Sequence, residues 1–409
     1  MLKKIPTQQL RLGMYLQAME GSWLSHPFWK TKFVLDESAD LKALLASGVA
    51  SVWIDVRKGD DVAQYESEPD LVPSSRLPAP QSRPVAAGKQ APPDAAVSSL
   101  GAELVRATAL VASSRRAVTA LFGEARLGKA ISADDCLPLV NEIADSVARN
   151  PSALISLARL KTKDDYTYMH SVAVCGLMVS LARQMGLGEE QTREAGLAGL
   201  LHDVGKMMVP TLVLNKPGAL TDAEFTVMRT HPERGYQMLQ SGEGVPAAAL
   251  DVCLHHHEKI DGSGYPKKLK GDEISLLAKM GAVCDVYDAI TSTRPYKNAW
   301  DPAGSIQRMS QWTGHFDPLV FTAFVRCIGI YPVGSLVRLE SGRLAVVVGM
   351  NPAQLVAPVV RVFYSTKSKL PILVQTLDLA NPASRDRIVG RESPHDWGFS
   401  HLEDIWSAP

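Results

Sequence analysis

His202 and Asp203 stand side by side in Gly-Leu-Leu-His-Asp-Val-Gly-Lys, offering one nitrogen and one carboxylate from a single helical turn. Such a carboxylate can bridge two cations. Further histidines follow at intervals of 25–32 residues, and six of the ten fall in four clusters: His170, His202, His231 and His255-His256-His257. An imidazole inside a helical core is costly unless its ring nitrogens are satisfied, so several converging from different helices point to a metal. Asp285, in Val-Cys-Asp-Val-Tyr-Asp-Ala-Ile, adds a carboxylate 28 residues after His257. Two hard or borderline cations roughly 3.5–4 Å apart make a hydroxide nucleophile at neutral pH and neutralise a phosphodiester in the same step. Mixed histidine and carboxylate donors suit iron, manganese or zinc. Lys206, four residues after His202, lies one turn along the same face, where its ammonium can meet a phosphate oxygen.

Taken singly, these residues have plainer readings. A His-Asp dipeptide is common, a lone His170 on an apolar helix is usually a core residue, and His255 reads as an exposed neighbour of two ligands. The set as a whole speaks for one constellation.

The elements that must position these groups are helical. From about Asp94 to Gly329, apolar residues recur at three- and four-residue spacing in Leu100–Phe122, Leu137–Ala148, His170–Met185 and Gln191–Leu201, and Pro151 suits the first turn of another helix. A helical bundle is expected there, over residues 94–334. Before it, residues 1–66 alternate β-like stretches (Met14–Ala18, Lys32–Leu35, Ser51–Asp55) with a helical stretch, Ala39–Leu45, closing on Gly48, and read as a small α+β module. Its aromatic residues, Trp23, Phe28, Trp29 and Trp53 among them, read as a small core and its packing surface. Residues 67–93, rich in Pro, Ser, Ala and Gln, cannot bury enough surface to order themselves and read as a linker. After Pro332, Ser335–Leu339, Leu344–Val348, Val359–Tyr364 and Ile372–Thr376 read as strands of a small β appendage (335–409), with an irregular tail from Ala380.

The 409-residue length calls for two or three domains. Forty-three basic and 43 acidic side chains cancel, which speaks against a nucleic-acid-coating surface. The five cysteines are scattered and odd in number, which argues against a disulfide framework and a thiolate zinc site. No apolar run reaches a membrane span and no signal-peptide core follows the first residues, so a cytoplasmic protein is expected.

His202-Asp203 with Lys206, and His256-His257-Glu258-Lys-Ile-Asp261-Gly262-Ser-Gly264-Tyr265-Pro266, resemble the two signatures of the HD-GYP family, a branch of the HD phosphohydrolases. The likeness extends through Tyr166-Thr-Tyr-Met-His170-Ser, His231-Pro-Glu-Arg-Gly, Asp285-Val-Tyr-Asp288-Ala and Arg294-Pro-Tyr-Lys297, over roughly residues 150–335. The segment before residue 70 resembles an uncharacterised module found before some bacterial HD-GYP domains. The resemblance implies a mainly α fold, an HD-type bundle with the two small additions. It implies hydrolysis of cyclic di-GMP to pGpG or GMP by a metal-bridging hydroxide. The ligands it implies are His170, His202, Asp203, His231, His256, His257 and Asp285, holding iron or manganese. Asp203 would bridge the metals and Lys206 would steady the scissile phosphate, as the two catalytic residues. Arg294 and Lys297 would meet substrate phosphates. The loop Gly264-Tyr265-Pro266 would allow close approach of the substrate and stack an aromatic ring on guanine.

Two positions depart from the family pattern. Members with three metals carry a glutamate where this chain has Tyr166, so two metals are expected, although Asp164 or Asp165 could reach the site if the helix starts differently. Thr293 stands where an aspartate is common before Arg-Pro-Tyr. The alternatives are an HD phosphohydrolase for another nucleotide, or a slow or non-catalytic cyclic di-GMP receptor that partners GGDEF synthases; a homodimer is compatible with any of them.

Overall fold

The structure is a computed structural model that describes residues 2–19, 33–35, 51–60, 100–159, 166–216, 218–292, 300–399 and 401–407, with single positions at 38, 41, 42 and 45. The chain divides into two compact units, Met1–Pro92 and Pro93–Pro409. The linker expected over residues 67–93 lies outside the described residues, as do Trp23, Phe28 and Trp29 and most of the helix expected over Ala39–Leu45.

In the first unit, β1 (Leu2–Pro6), β2 (Tyr15–Met19), β3 (Phe33–Val34) and β4 (Ser51–Asp55) form an antiparallel sheet in the order β1-β4-β2-β3. Strand β1 had no sequence signal, because its Leu-Lys-Lys-Ile-Pro lacks clean alternation. It pairs along its whole length with β4. Val52 and Ile54 alternate onto the buried face and join Ile5, Leu10, Met14, Leu16 and Leu35 in a small apolar core. Trp53 points the other way and is partly exposed.

The second unit begins with helices α1 (Leu100–Arg126), α2 (Ala133–Arg149) and α3 (Pro151–Arg159), then α4 (Tyr166–Gln184) and α5 (Glu189–Leu201). There follow α6 (Thr211–Leu214), α7 (Asp222–Met228), α8 (His231–Gln240), α9 (Ala247–His255), α10 (Leu276–Thr291), α11 (Pro302–Met309) and α12 (Pro318–Ile328). Helix α4 is the axis of the bundle: it packs against α1, α2, α3, α5, α10 and α12 and is buried from Met169 to Ala182. That position explains why it is apolar all round rather than on one stripe. Helix starts carry their own caps, such as the Thr221 and Glu224 box on α7 and Ser275 on α10. Fully buried Glu103 of α1 accepts two hydrogen bonds from Arg149 and one from Ser146, each 2.9 Å, and so ties α1 to α2. No helix among the described residues is long and apolar enough to cross a membrane.

Strands β5 (Leu336–Leu339), β6 (Arg343–Gly349), β7 (Val359–Ser365), β8 (Leu370–Asp378) and β9 (Ile388–Arg391) form an antiparallel sheet in the order β8-β7-β6-β5-β9. Sequence patterning sets this segment apart as an appendage from residue 335, but the contacts join it to the helices. Leu336, Leu344, Val346 and Val348 enter the same core as Leu104, Val140 and Leu154, while Val337, Leu339, Ala345 and Val347 line a second core on the other face. The boundary at 334/335 is therefore a change of secondary structure inside one unit. The tail expected to be irregular after Ala380 contains β9, paired with β5, and a last helical turn, α13 (Glu403–Trp406), whose Trp406 is buried in the helical core. Both depend on partners distant in sequence, which local patterning does not reveal.

Candidate metal centre

Most of the candidate ligands lie at or close to helix ends, which lets side chains from five helices reach one point. His170 lies near the start of α4, His202 caps the end of α5, His231 opens α8, and His256 and His257 follow α9. Asp285 comes from the body of α10. After His202 the chain tightens into a 3-10 turn, Val204–Met208, with Asp203 at its head and Lys206 inside it. That turn needs Gly205: a Cβ there would stand 2.0 Å from the carbonyl oxygen of His231 and 2.4 Å from the amide nitrogen of Gly235.

Three imidazoles are oriented by backbone carbonyls three or four residues earlier in the chain. The Nδ1–H of His202 donates to the carbonyl of Gly199 at 2.8 Å, that of His231 to Met228 at 2.8 Å, and that of His256 to Val252 at 3.0 Å. In the neutral ring each Nε2 is thereby left with its lone pair facing inward. His170 is held by a carboxylate instead, its Nδ1–H donating to Asp288 at 2.6 Å.

Two carboxylates lie between two sets of imidazoles. Oδ2 of Asp203 is 3.4 Å from Nε2 of both His170 and His202, while its Oδ1 is 3.2 Å from Nε2 of His231 and 3.8 Å from that of His256. Asp285 divides in the same way, with Oδ1 2.9 Å from His170 and 3.8 Å from His202, and Oδ2 3.7 Å from Nδ1 of His257. The donor atoms of His170, His202 and Asp285 all lie within 4.8 Å of one another, and so do those of His231, His256 and His257. Lys206 pairs with Oδ2 of Asp203 from the side nearer solvent.

These residues fit divalent cations. Nε2 of His202 and Oδ1 of Asp203 are buried without a hydrogen-bond partner, which costs about 1–3 kcal/mol for each such group. The Nε2 atoms of His231 and His256 face each other at 3.4 Å although both are acceptors. A cation between such lone pairs turns repulsion into ligation.

Protonation follows from the same crowding. Burial disfavours the charged forms, yet Lys206 and His202 hold the Asp203 carboxyl well below its usual range, and His170 and His202 do the same for Asp285. Burial, reinforced by the neighbouring imidazoles, pushes His256 down to about 3 and lowers His257 as well. Burial also opposes protonation of His202, but Asp203 and Asp285 outweigh it and bring that imidazole up to about 10. Ionised carboxylates beside the neutral His256 and His257 are ligand forms a divalent metal takes, whereas His202 would give up its proton on ligation.

Family models match in two places: an HD domain over residues 142–320 and a Domain of unknown function (DUF3391) over residues 2–136. Along the full length, the chain is 53% identical over 408 residues to a cyclic di-GMP phosphodiesterase of Pseudomonas aeruginosa, covering 100% of this chain and 96% of that one. The chain belongs to the HD-GYP family. Shorter matches join this HD-GYP chain to a cyclic di-GMP phosphodiesterase response regulator of Xanthomonas campestris, 39% identical over 46% of this chain and 50% of the other. A 3'3'-cGAMP-specific phosphodiesterase of Vibrio cholerae is 34% identical over 42% of this chain and 41% of its own. The match to the domain of unknown function runs past residue 66 and through α1, further than the composition of the first segment implied.

Within this HD-GYP chain, all seven candidate ligands and Lys206 come together. His255 turns away, its Nδ1 2.7 Å from Asp251. Arg294, Lys297 and Thr293 lie outside the described residues, as do Asp164, Asp165 and the side chain of Tyr166. Gly264 is buried, and a Cβ on it would stand 2.5 Å from the backbone of Glu258 and Lys259, so its smallness serves loop packing. The Tyr265 ring, joined to Pro266 by a cis peptide bond, stacks on His257 with centroids 4.7 Å apart.

Two residues that sequence reasoning passed over stand out. Asp288, one helical turn after Asp285, orients His170, and the i, i+3 spacing of two aspartates was the available signal. Glu258, 2% exposed, accepts hydrogen bonds from the amides of Lys267, Lys268 and Leu269 and so ties down the loop that carries Tyr265.

Proposed function

We propose that this protein opens cyclic di-GMP by metal-dependent phosphodiester hydrolysis, yielding pGpG, GMP or both. The observation that carries the reading is Asp203, whose two oxygens are divided between His170 and His202 on one side and His231 and His256 on the other. His170, His202, Asp203 and Asp285 would hold one cation, and Asp203, His231, His256 and His257 the other. Mixed imidazole and carboxylate donors support iron or manganese in both places. When bound, such a pair supplies Lewis acidity and a water acidified to near neutrality.

The chain's own residues do the rest. Lys206, its ammonium paired to Asp203 and 19% exposed, is placed to take up negative charge on the scissile phosphate. His257 and Tyr265 form the wall nearest solvent, and their stacking fixes one edge of the mouth. Arg294 and Lys297 are proposed to meet the remaining phosphate, on the strength of the motif alone. The five cysteines are all free and buried, which supports a reducing, cytoplasmic setting. A second reading, hydrolysis of 3'3'-cGAMP, draws on the 34% identical relative that carries that name, but the full-length match favours cyclic di-GMP.

The test is anaerobic purification, elemental analysis and chromatography of products from cyclic di-GMP. About two metal equivalents and release of pGpG or GMP are expected. A fully metal-loaded protein that leaves cyclic di-GMP intact overturns the proposal.

A further inference from the structure

The exposure of the metal centre is uneven. His170, His202, His231 and His256 are sealed at about 1% or less, whereas the side chains of His257 and Lys206 are 22% and 19% exposed, so the centre opens to solvent at these two residues. Tyr265 stacks on that ring at 4.7 Å. The guanidinium of Arg229, the residue that ends α7, lies 4.5 Å over the Tyr265 ring and 5.9 Å from the ring of Phe225. Arg229 is exposed, and among the described residues its guanidinium donates no hydrogen bond and makes no ion pair. A planar cation is thus held on an aromatic face at the mouth of the site with its donors free. Stacking removes much of the rotamer freedom that an exposed arginine would lose on binding.

From this geometry we propose that Arg229 reads a guanine base of the substrate through its O6 and N7 edge. The assignment rests on the cyclic di-GMP reading above. Guanine presents two acceptors on that edge, matched by the guanidinium fork, whereas adenine replaces one acceptor with an amino donor that faces the fork unfavourably. The Tyr265 ring, already stacked with His257 and Arg229, acts as the platform for the guanidinium. This differs from the expectation that it stacks on guanine directly.

The test compares metal-loaded wild type, Arg229→Ala and Arg229→Lys on cyclic di-GMP and on its 7-deazaguanine analogue, which lacks the N7 acceptor. Both variants are expected to lose about tenfold in kcat/KM on cyclic di-GMP, mainly through KM, as befits one bidentate base contact. On the analogue the gap between wild type and variants should shrink to about threefold or less, because part of the contact is already missing. An equal loss on both substrates would overturn the guanine assignment in favour of a phosphate contact or a prop for the Tyr265 loop. No loss on either would overturn it outright. Wild type inert toward cyclic di-GMP would instead remove the function beneath it, and this assignment too.

Discussion

In the C-terminal sheet, β6 from Leu344 to Val348 is apolar and buried on both faces, and charges sit at the rim in pairs such as Arg387 with Glu340 at 2.8 Å, both well exposed. At the centre of the helices the arrangement is reversed: four imidazoles and the carboxylates of Asp203, Asp285 and Asp288 are as buried as those valines. The sheet follows the ordinary economy of folding, in which apolar area leaves water and ions stay wet. The helical centre places acceptors against acceptors, an arrangement that weakens the fold and is explained only by what binds there. Stability and chemistry are therefore separable in this unit, and substitutions should divide the same way.

The sharpest test of that division is Asp203→Ala. It should strip the purified protein of metal and lower kcat/KM by about 10³-fold or more, at least as much as the loss of one transition-state donor, with the helical circular-dichroism signal retained. Full metal content in this variant would break the comparison at its centre. Leu339→Ala, in the apolar core of the sheet, should do the converse, costing about 2–5 kcal/mol in denaturant unfolding while kcat per folded molecule stays unchanged. A fall in kcat at full folding would show that the two regions are coupled. Asp288→Ala should weaken metal affinity by about 10–100-fold in a chelator competition, since it frees the His170 ring without removing a ligand. An unchanged affinity would show that α4 alone orients that imidazole.

The smallest effect concerns pH. Burial, with Lys259 nearby, brings the His315 imidazole down to about 4, against 6.5 in the open chain. Between those values the unfolded chain binds more protons than the folded one. This contribution to stability is therefore present above about pH 6.5 and is lost as pH falls through about 4. Melting temperatures measured from pH 7 to pH 4 should fall less steeply in His315→Gln than in wild type; parallel curves would show that the ring is not buried in solution.

Much of the centre was legible in the residues themselves. Histidine and aspartate are the donors divalent metals take, and His202-Asp203 and the long glycine-containing motif are local enough to be recognised without a fold. The helices around them were legible because their apolar spacing is a property of consecutive turns. Asp288 and Arg229 were not. An aspartate on an apolar helix and an arginine two residues before His-Pro have many roles, and only the 2.6 Å approach to His170, across 118 residues of chain, and the seat over Tyr265 distinguish these two. The joining of the C-terminal sheet to the helical core escaped for the same reason, since Leu344 reads as a strand residue whichever core it enters.

By itself, then, the sequence determined which side chains could ligate, the helical periodicity that carries them and the family to which they point. The tertiary structure alone decided that the two oxygens of Asp203 face different imidazoles, that three Nδ1 atoms are committed to backbone carbonyls, and that an arginine seated on the Tyr265 ring lies beside His257. The physical reason is range. Helix period and residue chemistry act within a few residues, whereas the direction in which a lone pair points is set by contacts between segments that meet only when the chain has folded.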